Sequence, residues 1–194
     1  MSLHADARAI LGGWAAPDLE QDELRTSYLA HLDSHEDAMW RSCVPGHLTA
    51  STAVLSFDAS RVALVLHRIH RFWLQTGGHC EPEDTTLRAA ALREATEETG
   101  IRGVRVLPAP VRLDRHAVPC GGGSHHLDVQ FAAVAPPEAV LVHDPEESAD
   151  LGWFPVDTLP EPTDDSVRAL VEAAVRAVAG TRGVGPDGFR DPRG

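Results

Sequence analysis

Between Asp18 and about Ser42, Leu24, Tyr28, Leu29, Leu32 and Met39 recur at spacings near three and four among charged residues, a pattern that predicts amphipathic helix with a break near Asp33-Ser34. Val44-Pro45-Gly46 ends it. The Thr-, Ser- and Val-rich run from His47 to Phe57 and the apolar run from Arg61 to Leu66 predict two strands with a tight connection at Asp58-Ala59-Ser60, the second apolar enough to be central. Arg71 to Thr76 leads into Gly77-Gly78, and from about Thr85 to Thr99 the chain turns to Ala, Leu, Glu and Arg, strong helix formers, with Gly100 as the stop. Val104 to Leu113 reads as a strand interrupted by Pro108 and Pro110, and Cys120 to Gly123 as a flexible turn. His126, Asp128 and Gln130 alternate with Leu127, Val129, Phe131 and Ala133, which predicts a half-buried strand with one polar face. Leu151 to Phe154 is a short apolar strand, Ser166 to Ala179 a closing amphipathic helix, and Thr181 to Gly194 a disordered tail. Strands and helices interleaved in this way predict a mixed sheet with helices on its faces rather than a strict βαβ series.

Composition narrows the function. A chain of 194 residues, 43% hydrophobic, fits one domain with a sizeable core. Its 17 basic against 29 acidic residues leave a net charge of −12, which argues against a nucleic-acid partner. The stretch from Ala50 to Leu66 is broken by Ser56, Asp58, Ser60 and Arg61 and falls short of the roughly 20 apolar residues of a membrane span. The first residues carry no basic and apolar signal pattern, so a cytoplasmic location is expected. Cys43, Cys80 and Cys120, an odd number without a Cys-x-x-Cys, suit neither a disulfide framework nor a structural zinc site and read as reduced thiols. Among the eleven histidines, His125 and His126 would point to opposite faces of a strand, and His67 and His70 do not alternate, so a histidine-only metal site is the lesser reading.

The segment Gly77 to Ile101 carries the chemistry. At about 100° per helical residue, Glu98 lies about 40° from Glu94 and Glu97 about 60° from it on the other side, so three carboxylates share a face. They repel one another and oppose the helix dipole near its C-terminus. Either the face is simply solvated, or it binds a hard divalent cation, which takes oxygen ligands from a few carboxylates, waters and substrate phosphates. Arg93 stands one i,i+4 step before Glu97 and can hold it in place. Gly77-Gly78 lets the backbone approach a ligand closely and offers carbonyls to it.

This segment resembles the signature box of the Nudix hydrolases: Gly, five residues, Glu, seven residues, then Arg-Glu-apolar-x-Glu-Glu-x-Gly-apolar. Gly78 fills the start, and Arg93, Glu94, Ala95, Glu97, Glu98, Gly100 and Ile101 the second half. The first acid is Asp84 rather than Glu, and eight residues separate it from Arg93, one more than the box has. Asp84 is therefore open to two readings, a box acid or a helix N-cap. Gly46 to Ser51, Trp73 to Thr76 and Asp150 to Leu159 resemble the family's flanking strands, so the likeness spans roughly 46–159.

The resemblance implies an α/β (α+β) fold, a Nudix-like α/β/α sandwich around a mixed β-sheet at 46–180, with an extra N-terminal helical segment at 1–45 and a tail at 181–194. It implies Mg²⁺-dependent hydrolysis, with Mn²⁺ an alternative, of a small-molecule nucleoside diphosphate linked to another group. Glu94, Glu97 and Glu98 and the Gly77 carbonyl would hold the metal, with Arg93 orienting them. The general base would be Glu94, or else Glu147 in the acidic loop Asp144 to Ser148. Gly78, Trp73, His126 and Asp128 are candidate substrate contacts, although an aromatic beside a strand also suits a core. Two other functions fit such a fold: a non-catalytic nucleotide-ligand sensor, disfavoured by the surviving acids, and a diphosphate isomerase needing an active-site Cys and added His, for which Cys43 and His47 form no motif. The apolar stripe of the N-terminal segment suits either a cap on the domain or a homodimer seam.

Overall fold

A computed structural model describes residues 1–118, 124–146 and 148–183, so the turn expected at Cys120 to Gly123 and the stretch 184–194 lie outside the described residues. The elements run α1 (Leu3–Gly13), α2 (Leu19–Ser34), β1 (His47–Leu55), β2 (Arg61–Leu66), β3 (Trp73–Leu74), β4 (Thr76–His79), α3 (Leu87–Thr99), β5 (Arg105–Val106), β6 (Arg112–Val118), β7 (Ser124–Val134), β8 (Asp150–Pro155) and α4 (Asp165–Gly183). The predicted strands at the centre and the helix before Gly100 are present.

Several boundaries differ, each for a physical reason. The first predicted helix stops at Ser34, at the expected break, but does not resume, and Met39 reaches the core from the turns that follow. A further helix, α1, escaped the pattern; Leu3, Ala7 and Leu11, spaced by four, form its buried stripe. The single strand expected over Val104 to Leu113 is two, because Pro108 and Pro110 lack an N–H; Leu107 and Val111 on either side donate to Ala132 and Gln130. The last helix runs on through Thr181 to Gly183, residues expected in the tail. β7 is buried along nearly all its length rather than half-buried, because it is central in the sheet.

β1 and β7 pair in parallel over nine positions, from His47 opposite His126 to Leu55 opposite Val134. Every other strand pair is antiparallel, so the sheet is mixed. On its outer edge β1 bonds β4 through Thr49 to Thr52 and β2 through Val54 and Leu55. β7 likewise bonds β6 through Ser124 to Gln130 and β5 through Ala133 and Val134. The sheet thus forks on both sides of its central pair.

Helices cover both faces. Leu48, Ala50, Leu127 and Val129 pack with Leu87, Ala90, Ala91 and Ala95 of α3, in a cluster that also takes in α1 and α2 through Leu11, Tyr28 and Leu32. On the other face Ala53, Leu55, Ala132 and Val134 meet Val167, Leu170, Val171 and Ala174 of α4. That second face changes character along the strands: where α4 covers it the residues are apolar, and toward the strand starts they are His47, Thr49 and Ser51 beside His126, Asp128 and Gln130. No helix among the described residues is long and apolar enough to cross a membrane.

The N-terminal helices are tied to the sheet by polar bonds as well. Gln21, 1% exposed, donates through Nε2 to the Leu113 carbonyl (3.1 Å) and accepts from the Leu113 N–H (2.7 Å). The Tyr28 hydroxyl donates to the Asp114 carbonyl, and Asp6 accepts from the Leu87 N–H at the start of α3 (2.8 Å). Gln21→Ala leaves both polar groups of the buried Leu113 backbone without a partner, each worth about 1–3 kcal/mol. Urea denaturation is expected to give a stability lower by about 2 kcal/mol or more.

Candidate active site

β4 runs antiparallel to β1 and places Gly78 opposite Ala50 and Gly77 opposite Ser51. The loop from Cys80 to Thr86 then turns into α3, whose N-cap is Thr86, its Oγ1 accepting from the Ala89 N–H at 3.0 Å. The N-cap reading of Asp84 is thereby corrected. Asp84, 8% exposed, sits two residues earlier, accepts from the Glu81 N–H, and turns both carboxylate oxygens to Arg93. At the other end Gly100 adopts φ 68°, the left-handed conformation that closes a helix, and its N–H donates to the Thr96 carbonyl.

Arg93 organises the carboxylates. Its Nη1 lies 3.0 Å from Glu94 Oε1 and 3.0 Å from Glu97 Oε2, its Nη2 donates to the His79 carbonyl (2.9 Å) and to Asp84 (3.0 Å), and Glu81 stands 3.8 Å away. Four acceptors and the nearby Glu81 charge fix the orientation of this planar fork, and against the lowering effect of burial Asp84 and Glu94 raise its pKa further above the ordinary guanidinium range. Glu94 packs under Gly78 so tightly that a Cβ there would fall 2.5 Å from Glu94 Oε1. Burial raises the Glu94 pKa, against the lowering effect of Arg93. Glu98 reaches the same glycine pair, its Oε2 accepting from the Gly77 N–H at 2.8 Å, and a Cβ on Gly77 would collide with Ser51. Glu97, its side chain 53% exposed, stands at the rim. The fold therefore gathers Glu94, Glu97, Glu98, Arg93, Gly77 and Gly78 at one place.

Other candidates lie elsewhere or are differently engaged. Glu147 lies outside the described residues. Trp73 packs edge-on against Phe154 (ring centroids 4.6 Å apart), its N–H donating to the Pro162 carbonyl and its carbonyl accepting from Thr163, on the α4 side of the sheet. Asp128 is buried and accepts from Thr49 Oγ1, Ser51 Oγ and Gln130 Nε2; burial raises its pKa. Burial also pushes the thiols of Cys43 and Cys80 up to about 11 and about 12, the reverse of what a thiolate nucleophile needs.

His126 is not alone on its face. His47, directly opposite it across the β1–β7 ladder, and His79, opposite Thr49 across the β1–β4 ladder, bring one ligand atom each to within 4.8 Å of one another. His116 on β6 packs edge-on to His126, ring centroids 5.2 Å apart. Sequence spacing gave no sign of this group, because its members come from four strands and meet only through the sheet's pairings. Even so, His47, Thr49 and Ser51 alternate as the residues after His126 do, a signal open to reading on β1.

The family model for the NUDIX domain matches residues 47–174. Among solved structures, a NUDIX-family hydrolase from Clostridium perfringens superposes with a TM-score of 0.58 at 20% identity, over 68% of this chain and 97% of that one. The E. coli dihydroneopterin triphosphate pyrophosphohydrolase gives 0.52 at 21% identity over 67% and 95%, and a MutT protein from Methanosarcina mazei 0.52 at 16% over 69% and 96%. At these identities the likeness is one of fold, and it agrees with the mixed sheet between helical layers.

The raised Glu94 pKa has a consequence for stability. The native chain holds that proton to higher pH than the unfolded chain, whose value is near 4.5, so ionising Glu94 in the metal-free protein opposes folding. Glu94→Gln is expected to be more stable than the parent at neutral pH in the presence of chelator, by a margin that vanishes below pH 4.5, as read by urea denaturation across pH.

Proposed function

The chain belongs to the Nudix hydrolase family, and on that premise we propose that it hydrolyses a nucleoside diphosphate linked to another group, cleaving the pyrophosphate bond with water and with Mg²⁺, or Mn²⁺ in its place, as cofactor. The observation that carries this reading is the convergence of Glu94 and Glu98 on the backbone of Gly77 and Gly78. The donors gathered there are oxygens, which suits a hard divalent ion. In this reading Glu94 and Glu98 are the principal metal ligands, Glu97 a further or water-mediated one, and the Gly77 carbonyl a backbone ligand. A bound ion neutralises the pyrophosphate and activates water for attack on phosphorus.

The chain's own residues do the rest. Arg93 holds Glu94 and Glu97 by charge-assisted hydrogen bonds, so their carboxylates need little reorganisation when substrate arrives. Glycine at 78 leaves the space beside Glu94 clear of side-chain atoms. Glu94 takes the proton from the attacking water, with Glu147 as the alternative base. Gly78 and His126 are proposed to border the substrate, and Asp128 acts behind them by fixing Thr49 and Ser51, whereas Trp73 packs with Phe154 in the α4-side cluster.

Two measurements test the assignment. Nucleoside triphosphates, nucleotide sugars, ADP-ribose and dinucleoside polyphosphates are incubated with the protein and Mg²⁺ or Mn²⁺, and phosphate or nucleotide release is followed. Metal-dependent turnover of at least one compound is expected, falling by roughly 100-fold or more in Glu98→Gln. Binding of nucleotide without turnover would favour a ligand sensor instead. Arg93→Lys cannot reproduce a fork that serves Asp84, Glu94, Glu97 and the His79 carbonyl, and kcat/KM is expected to drop about 10–100-fold.

A further inference from the structure

We propose that His47, His79 and His126 form a second metal site, which takes a first-row transition ion such as Zn²⁺ through three imidazole nitrogens and leaves a fourth position open. The three rings lie on one face of the sheet, His47 and His126 paired across β1–β7 and His79 two residues along from His47 on the neighbouring ladder. The Nε2 atoms of His47 and His79 are 3.1 Å apart, and one nitrogen from each ring lies within 4.8 Å of the others. A tetrahedral ion with bonds of about 2.0–2.1 Å sets its ligands about 3.3 Å apart, so small ring rotations close the site.

The protonation states suit ligation. Burial, with the other cationic groups nearby, lowers all three pKa values, that of His79 to about 4 and that of His126 to about 3, so each ring is neutral and keeps one nitrogen lone pair at neutral pH. His47 is fully buried, and its Nδ1 makes no good hydrogen bond. His116, edge-on to His126, carries its own carboxylate partner, Asp114 Oδ2, at 2.8 Å from Nδ1. Three neutral imidazoles suit zinc, copper, iron or nickel and not Mg²⁺, so this chemistry is distinct from that of the glutamates. The two places nonetheless touch through one residue, because the His79 carbonyl accepts from Arg93 while its ring joins the histidine group.

Arg41 stands at the entrance, its Nη2 2.9 Å from His79 Nδ1. That contact requires a lone pair on Nδ1 and so puts the proton on Nε2; an ion on Nε2 reverses the tautomer and displaces the exposed Arg41.

The test strips the full chain with chelator and titrates it in saturating Mg²⁺ with Zn²⁺ by calorimetry, and with Co²⁺ by visible absorption. One equivalent of Zn²⁺ is expected to bind, with the intense visible bands of four-coordinate Co²⁺. Both are expected to persist in Glu98→Gln, to be unchanged or tighter in Arg41→Ala, and to weaken in His79→Ala and His126→Ala by more than the roughly 10–100-fold that loss of an outer-shell partner costs. Circular dichroism confirms that the variants are folded, and His79, only partly buried, is the substitution that least disturbs the core. No Zn²⁺ binding in the parent, binding equal to the parent's in a folded His79→Ala, or binding lost in Glu98→Gln would overturn the proposal, the last placing the ion on the glutamates.

Discussion

A single guanidinium lies among carboxylates that would otherwise repel one another, and the geometry around it follows from that fact. Arg93 is reached from the helix by Glu94 and Glu97, from the preceding loop by Glu81 and Asp84, and from β4 by the His79 carbonyl. Strand, loop and helix therefore meet at one charge. Asp84 is nearly buried, and a buried carboxylate without its cation is strongly unfavourable, so the loop has little freedom to move away. The loop carries one residue more than the family's box and its acid is one methylene shorter than Glu, and both Asp84 oxygens turn to the Arg93 fork.

The acidic half of the site was legible because it is local. Glu94, Glu97 and Glu98 share a helix, and helical periodicity alone puts them on one face. The role of Asp84 was not, since a residue two positions before the cap can reach back to Arg93 only once the loop's path is known. The histidines lay further beyond reach. His47, His79 and His126 are far apart in sequence and meet through one parallel and one antiparallel pairing, neither of which periodicity specifies. The short helix α1 has a stripe of only Leu3, Ala7 and Leu11, too brief to stand out.

The same sheet face serves two purposes along its length. Under α4 the central strands present Ala53, Leu55, Ala132 and Val134; at their starts they present histidines, hydroxyls and the Asp128 carboxylate. Side chains alternate with period two, so a slip of β1 by one residue would drive His47, Thr49 and Ser51 into the apolar cluster beneath α3. Asp128 resists that slip by accepting from Thr49 and Ser51 across the ladder, so a buried carboxylate keeps the strands in register.

The Asp6 carboxylate on the Leu87 N–H joins the first helix to the start of the helix that carries the glutamates. A fragment begun where the family match begins, at 47, would lack Asp6, Gln21 and Tyr28 alike, and with them the partners of a helix-start amide and of backbone on β6. The recognisable sequence unit and the cooperative unit are thus different lengths of chain: local opening of the N-terminal helices would be felt as fraying at the first turn of α3, about two to three turns from the carboxylates.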